Sequence, residues 1–108
     1  MDIDEQARNL ALERDDYVAL MESFLQTTKD DLEKLDTALA ENDLSQVAKI
    51  AHHIRGASVS LELHKIAEAA KKAELSFKSN SKEQAIAAAR IIRAELEFTS
   101  KAIRQLFE

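Results

Sequence analysis

The chain has 108 residues, an ordinary size for one domain, and its 45% hydrophobic and 32% charged residues suit a folded core. A formal charge of −5 argues against a nucleic-acid-binding surface, and the absence of cysteine excludes disulfides, thiol catalysis and thiolate metal sites. No apolar run approaches the roughly 18 residues of a membrane span, and no signal-peptide pattern precedes the first charges, so a soluble cytoplasmic protein is the expectation.

Proline is absent, glycine occurs once and five residues are aromatic, while alanine, leucine, glutamate and lysine dominate. That composition favours an all-α domain. Ile3, Ala7, Leu10 and Ala11 recur at helical spacing and predict a short N-terminal helix over about 4–12. A long helix follows, about 16–41, with Tyr17, Leu20, Met21, Phe24, Leu25, Thr28, Leu32, Leu35 and Leu39 on one stripe. Asp15 or Asp16 is its expected N-cap. Its polar face, with Glu22, Lys29, Glu33, Lys34 and Glu41, reads as solvated surface.

Asn42 suits the left-handed C-terminal cap of that helix, and Asp43 with Gln46 resembles a capping box for a third helix over about 44–60. Leu61-Glu62-Leu63 offers no strong breaker, yet a fourth helix is expected over about 63–78 with Leu63, Ile66, Ala69, Ala70, Ala73 and Phe77 inward. Ser79-Asn80-Ser81 repeats the Asn cap, and Ser81 with Gln84 makes a second capping box. The last helix, about 82–106, carries Ala85, Ala89, Ile92, Leu96, Thr99, Ile103 and Leu106 on a heptad-like stripe. Four long amphipathic helices joined by short turns predict an antiparallel four-helix bundle with a short N-terminal accessory helix, one domain over 1–108.

The single glycine, Gly56, falls inside the third helix, where it costs about 1 kcal/mol relative to alanine. Val47, Ile50, Ala51, Ile54, Ala57, Ser58 and Leu61 form the core face of that helix; His52 projects about 160° away, while His53 and Arg55 fall on the flanks. The outer strip reads Ser45, Ala48, Lys49, His52, Gly56 and Val59. Small residues beside an imidazole leave the ring open and let a partner press against the helix. Arg55, one turn on, can reach an anion held near His52. An isolated exposed histidine is ordinarily plain surface; the mid-helix glycine, the small outer strip and Arg55 set this one apart. A metal site built from His52, His53 and His64 is disfavoured, because adjacent helical residues point about 100° apart and there is no HExxH pattern.

His52-His53-Ile54-Arg55-Gly56-Ala57-Ser58 resembles the motif of the histidine-containing phosphotransfer (HPt) domain, His-x-x-Lys/Arg-Gly-Ser/Ala-Ser/Ala. The resemblance implies an antiparallel helical bundle without kinase or phosphatase activity of its own. In it His52 exchanges a phosphoryl group with the aspartate of a response-regulator receiver domain, within a relay that includes a sensor histidine kinase, hybrid or otherwise. It also implies that Arg55 helps neutralise the phosphoryl group, Gly56 keeps the surface clear, and Glu74 holds the second ring nitrogen of His52. Ser45, Ala48, Lys49 and Val59 would then belong to the docking surface. No cofactor or metal is expected in this chain, Mg2+ belonging to the receiver, and a monomer is expected. One departure stands out: Glu62 occupies a position where the family usually has glycine, so this turn either has another geometry or carries strain. An adaptor bundle that carries no phosphate and a metal-binding bundle are the alternatives.

Overall fold

A computed structural model describes residues 1–108 and contains five helices: α1 (Ile3–Asn9), α2 (Arg14–Ala40), α3 (Leu44–Ser60), α4 (His64–Ser79) and α5 (Lys82–Gln105). The side chain of Asp2 caps α1 by accepting from Glu5 N–H at 3.0 Å. The N-cap of α2 is neither Asp15 nor Asp16. Glu13 occupies the N-cap without a side-chain bond, and Asp15 and Asp16 lie in the first turn, where their charges face the positive end of the helix dipole. Asp43 and Ser81 do cap α3 and α5, each accepting the N–H of a glutamine three residues on. Neither glutamine returns a bond to its cap; Gln84 instead donates to the Lys72 carbonyl at 2.8 Å and ties α5 to α4.

The four junctions share one device. Ala11, Asn42, Glu62 and Asn80 all have positive φ, between 50° and 57°. In each case the next residue's N–H reaches back five positions: Leu12 to Ala7, Asp43 to Ala38, Leu63 to Ser58 and Ser81 to Ser76. This is the Schellman closure, which satisfies carbonyls left open at a helix end and reverses the chain in a few residues. Glycine suits that left-handed position best, yet none of the four is glycine. Asparagine fills two of them at little strain, while Ala11 and Glu62 bear a larger steric penalty. Glu62 therefore adopts the ordinary geometry of this turn.

Helices α2 to α5 form an antiparallel bundle with each packed on the next and α5 closing against α2, while α1 packs on α2. The hairpin pairing is regular. Asp31, nine residues before the end of α2, meets His53, nine residues after the start of α3. The core comprises Tyr17, Met21, Leu35, Val47, Ile54, Ile66, Ala70, Ala85, Ile92 and their neighbours. Three residues expected on apolar stripes are exposed. α2 has 27 residues and α3 only 17, so the N-terminal part of α2 runs past the end of α3; Tyr17, Val18 and Met21 stay buried there, but Leu20 is exposed. In the last turn of α4, Ser76 rather than Phe77 takes the inward position, its hydroxyl donating to the Ala73 carbonyl. Ala11, expected on the apolar stripe of α1, is exposed in the turn. No helix is long and apolar enough to cross a membrane.

Candidate functional site

The core face of α3 sets the direction of its histidines. Val47, Ile50, Ala51, Ile54 and Ser58 are buried, and Ala57 and Leu61 are half-buried. Ser58 spends its hydroxyl on the Ile54 carbonyl at 2.7 Å, so a polar side chain fits the core face without an unmade bond. With this stripe inward, His52 must face out.

Ala51, Ala73 and Ala88 form a small buried cluster between α3, α4 and α5. Methyl groups at these positions permit a close approach of the helices. Ala51 immediately precedes His52 and Ala73 immediately precedes Glu74, so this approach delivers the two candidate side chains to each other. His52 Nδ1 lies 2.9 Å from Glu74 Oε1. An ionised carboxylate only accepts, which makes Nδ1 the protonated nitrogen and leaves the lone pair of Nε2 on the outer side of the ring. Arg55 Nη2 stands 3.5 Å from the same Nδ1, but two donors cannot share a bond, so that contact is mere adjacency. Arg55 engages Glu74 instead, with Nε 3.2 Å from Oε2. Oε2 is enclosed and lacks an aligned hydrogen bond, so this is an ion pair by distance only. Arg55 thus stays beside the imidazole with a cationic fork that can turn toward an anion.

Gly56 has ordinary helical backbone, and a Cβ placed on it would meet nothing within 4 Å. Neither a turn nor internal packing requires glycine there; the bare backbone simply leaves space on the surface. Ser45, Lys49 and Val59 are exposed on the same side as His52, with Val59 at 60%. Ala48 is half-buried, so it forms an edge of this strip rather than its centre. None of the three main surface grooves includes His52; one of them runs between α2 and α5, past Leu25, Lys29, Arg93 and Arg104. A small-molecule enzyme would place its reactive group in a concavity. An imidazole on an open helix face suits a macromolecular partner that brings its own pocket. The histidines do not gather with other ligands: no three His, Asp or Glu side chains converge.

A model of the Hpt domain matches residues 19–105. The chain belongs to the Hpt domain family. The crystal structure of histidine-containing phosphotransfer protein B (HptB) from Pseudomonas aeruginosa PAO1 shares its fold, with a TM-score of 0.82 and 22% identity over 97% of this chain and 91% of that one. No curated protein matches. The Hpt match covers α2 to α5 almost entirely and leaves α1 outside it, as expected of an accessory helix.

One feature of this Hpt domain escaped sequence reasoning. His53, on the flank of α3 as its phase predicts, has Nδ1 2.7 Å from Asp31 Oδ2, and Asp31 is buried on α2. A signal for it exists: Asp31 follows Thr28 by three and precedes Leu35 by four, so an acidic residue interrupts the apolar stripe of α2.

Proposed function

We propose that this protein is a phosphorelay intermediate in which His52 accepts a phosphoryl group from a receiver-domain phospho-aspartate and donates it to another. The observation that carries the reading is the Nδ1 bond of His52 to Glu74 on an otherwise open face, which leaves Nε2 as the nucleophile. The Nε2 lone pair attacks phosphorus in line, the bond to the aspartate oxygen breaks, and the aspartate leaves as carboxylate. Glu74 stabilises the imidazolium character that develops on the ring, through the Nδ1–H bond it accepts. Arg55 supplies positive charge near the transferring group. Mg2+ and the acidic pocket come from the receiver, so this chain contributes position and access more than chemistry. Gly56 and Val59, with Ser45, Ala48 and Lys49 around them, form the surface on which the receiver rests. A sensor histidine kinase, hybrid or not, feeds the relay upstream.

The test is transfer from receiver domains phosphorylated with acetyl phosphate and Mg2+. The parent protein should gain acid-labile, alkali-stable phosphate mapped to His52, and His52→Gln should lose the rapid phase of transfer. A parent protein that takes no phosphate from any receiver, yet still binds one, would instead be an adaptor.

A further inference from the structure

The geometry points to His53 as a second phosphoryl acceptor, served by a receiver docked slightly further around α3 toward α2. This inference rests on the phosphorelay reading of the same face. The two adjacent histidines are built alike. Each ring has Nδ1 bonded to a carboxylate of a neighbouring helix, at 2.9 Å for His52 on Glu74 and 2.7 Å for His53 on Asp31. Each side chain is mostly open to solvent, 67% for His52 and 61% for His53. The carboxylate fixes the tautomer in both cases, so Nε2 of His53 is also the unprotonated, outward nitrogen.

The surroundings match as well. Gly56 lies four residues after His52 and three after His53, so the open space at its Cα borders both rings. Arg55 stands one turn after His52. Lys49 stands one turn before His53, is exposed and makes no ion pair, so its ammonium is free to meet a phosphoryl oxygen. His64 provides the contrast: it is exposed at the start of α4 and has no carboxylate on either ring nitrogen. Surface exposure alone does not produce the arrangement seen at His53.

The reaction is the one assigned to His52. The Nε2 lone pair of His53 forms the P–N bond, the P–O bond of the receiver's acyl phosphate breaks, and the aspartate departs with the electron pair. Asp31 offsets the positive charge on the ring through the Nδ1 proton. The two rings diverge by about 100° around the helix axis, so one docked receiver addresses one of them at a time. The role of Asp31 is that of a positioning residue.

The decisive experiment compares the parent, His52→Gln, His53→Gln and the double variant as acceptors from a panel of receivers phosphorylated with acetyl phosphate and Mg2+, with sites mapped by mass spectrometry at neutral pH. Far-ultraviolet circular dichroism checks that each variant folds. His52→Gln should retain transfer, about 10²-fold slower than the parent, with the label on His53. The double variant should carry none, and His64 should stay unlabelled throughout. If His52→Gln is as inert as the double variant while His53→Gln is labelled at the parent rate, His53 is no acceptor and the assignment of His52 stands. Equal label on His53 and His64 would reduce the effect to exposure and overturn the inference. A parent protein that takes no phosphate at all would remove both this inference and the reading beneath it.

Discussion

Glu74 Oε1 accepts from His52 Nδ1 across 2.9 Å, although the two residues are 22 apart in sequence and belong to different helices. Below them, the contact of Ala51 with Ala73 sets the helix spacing that makes the bond possible. Removing the carboxylate frees the ring to change tautomer and to rotate. Glu74→Ala should therefore slow phosphoryl transfer by about tenfold or more, while Glu74→Gln, whose amide oxygen can still accept from Nδ1, should keep most of the rate. Stopped-flow or quenched-flow transfer from a phosphorylated receiver measures both. Equal losses in the two variants would mean that charge on Glu74, not its hold on the ring, is what matters.

Gly56 should show stability and transfer moving in opposite directions. Gly56→Ala fills only open space and gains helix propensity, so it should raise stability by up to about 1 kcal/mol. Gly56→Lys should also fold, yet obstruct the receiver and slow transfer strongly. Val59→Asp, on the same strip, should weaken receiver binding without altering the melt, because its side chain supports no part of the core. Unfolded Gly56→Lys, or a Val59→Asp variant that binds like the parent, would move the docking surface elsewhere.

Glu62 sits at φ 57° at the C-terminal end of α3. Glycine is free of the steric penalty there. Glu62→Gly should stabilise the protein by up to about 1 kcal/mol, a rise of a few degrees in Tm, and leave transfer at His52 unchanged. A melt showing clear destabilisation would mean that contacts of the glutamate side chain outweigh the backbone strain.

Tyr17 is fully buried, and its hydroxyl has no hydrogen-bond partner. Burial raises the pKa of the phenol above its ordinary value of 10.0. Because the folded state favours the neutral phenol, the associated stability is present below the unfolded pKa and declines as pH rises through the folded one. Urea unfolding should therefore show a loss of stability above about pH 10, smaller in Tyr17→Phe than in the parent. At neutral pH, Tyr17→Phe should be neutral or stabilising by about 1 kcal/mol, since it deletes a buried group without a partner. A large loss at pH 7 would reveal a bond that the hydroxyl makes in solution.

The amino-acid sequence dictates the helices, because each carries a 3.6-residue apolar period long enough to outweigh local ambiguity. It also determined the outward direction of His52, because a helix that buries Val47, Ile50, Ala51 and Ile54 has no other side on which to place that ring. Asn42 and Asn80 marked their turns, since asparagine tolerates a left-handed backbone. Ala11 and Glu62 gave no such mark, and only the closure of the bundle forces the left-handed conformation on them. The end of α3 as cover for α2 was equally invisible, because helix length is local while overlap between helices is not; hence the exposure of Leu20. The pairing of carboxylates with imidazoles, by contrast, arises only in the folded bundle. For Glu74, family resemblance suggested the partner and packing on the alanine cluster supplies the distance. For Asp31, the residue's place within an apolar stripe hinted at burial, but the choice of His53 as its partner arises only when α2 and α3 align antiparallel and bring residues 22 apart to within 2.7 Å.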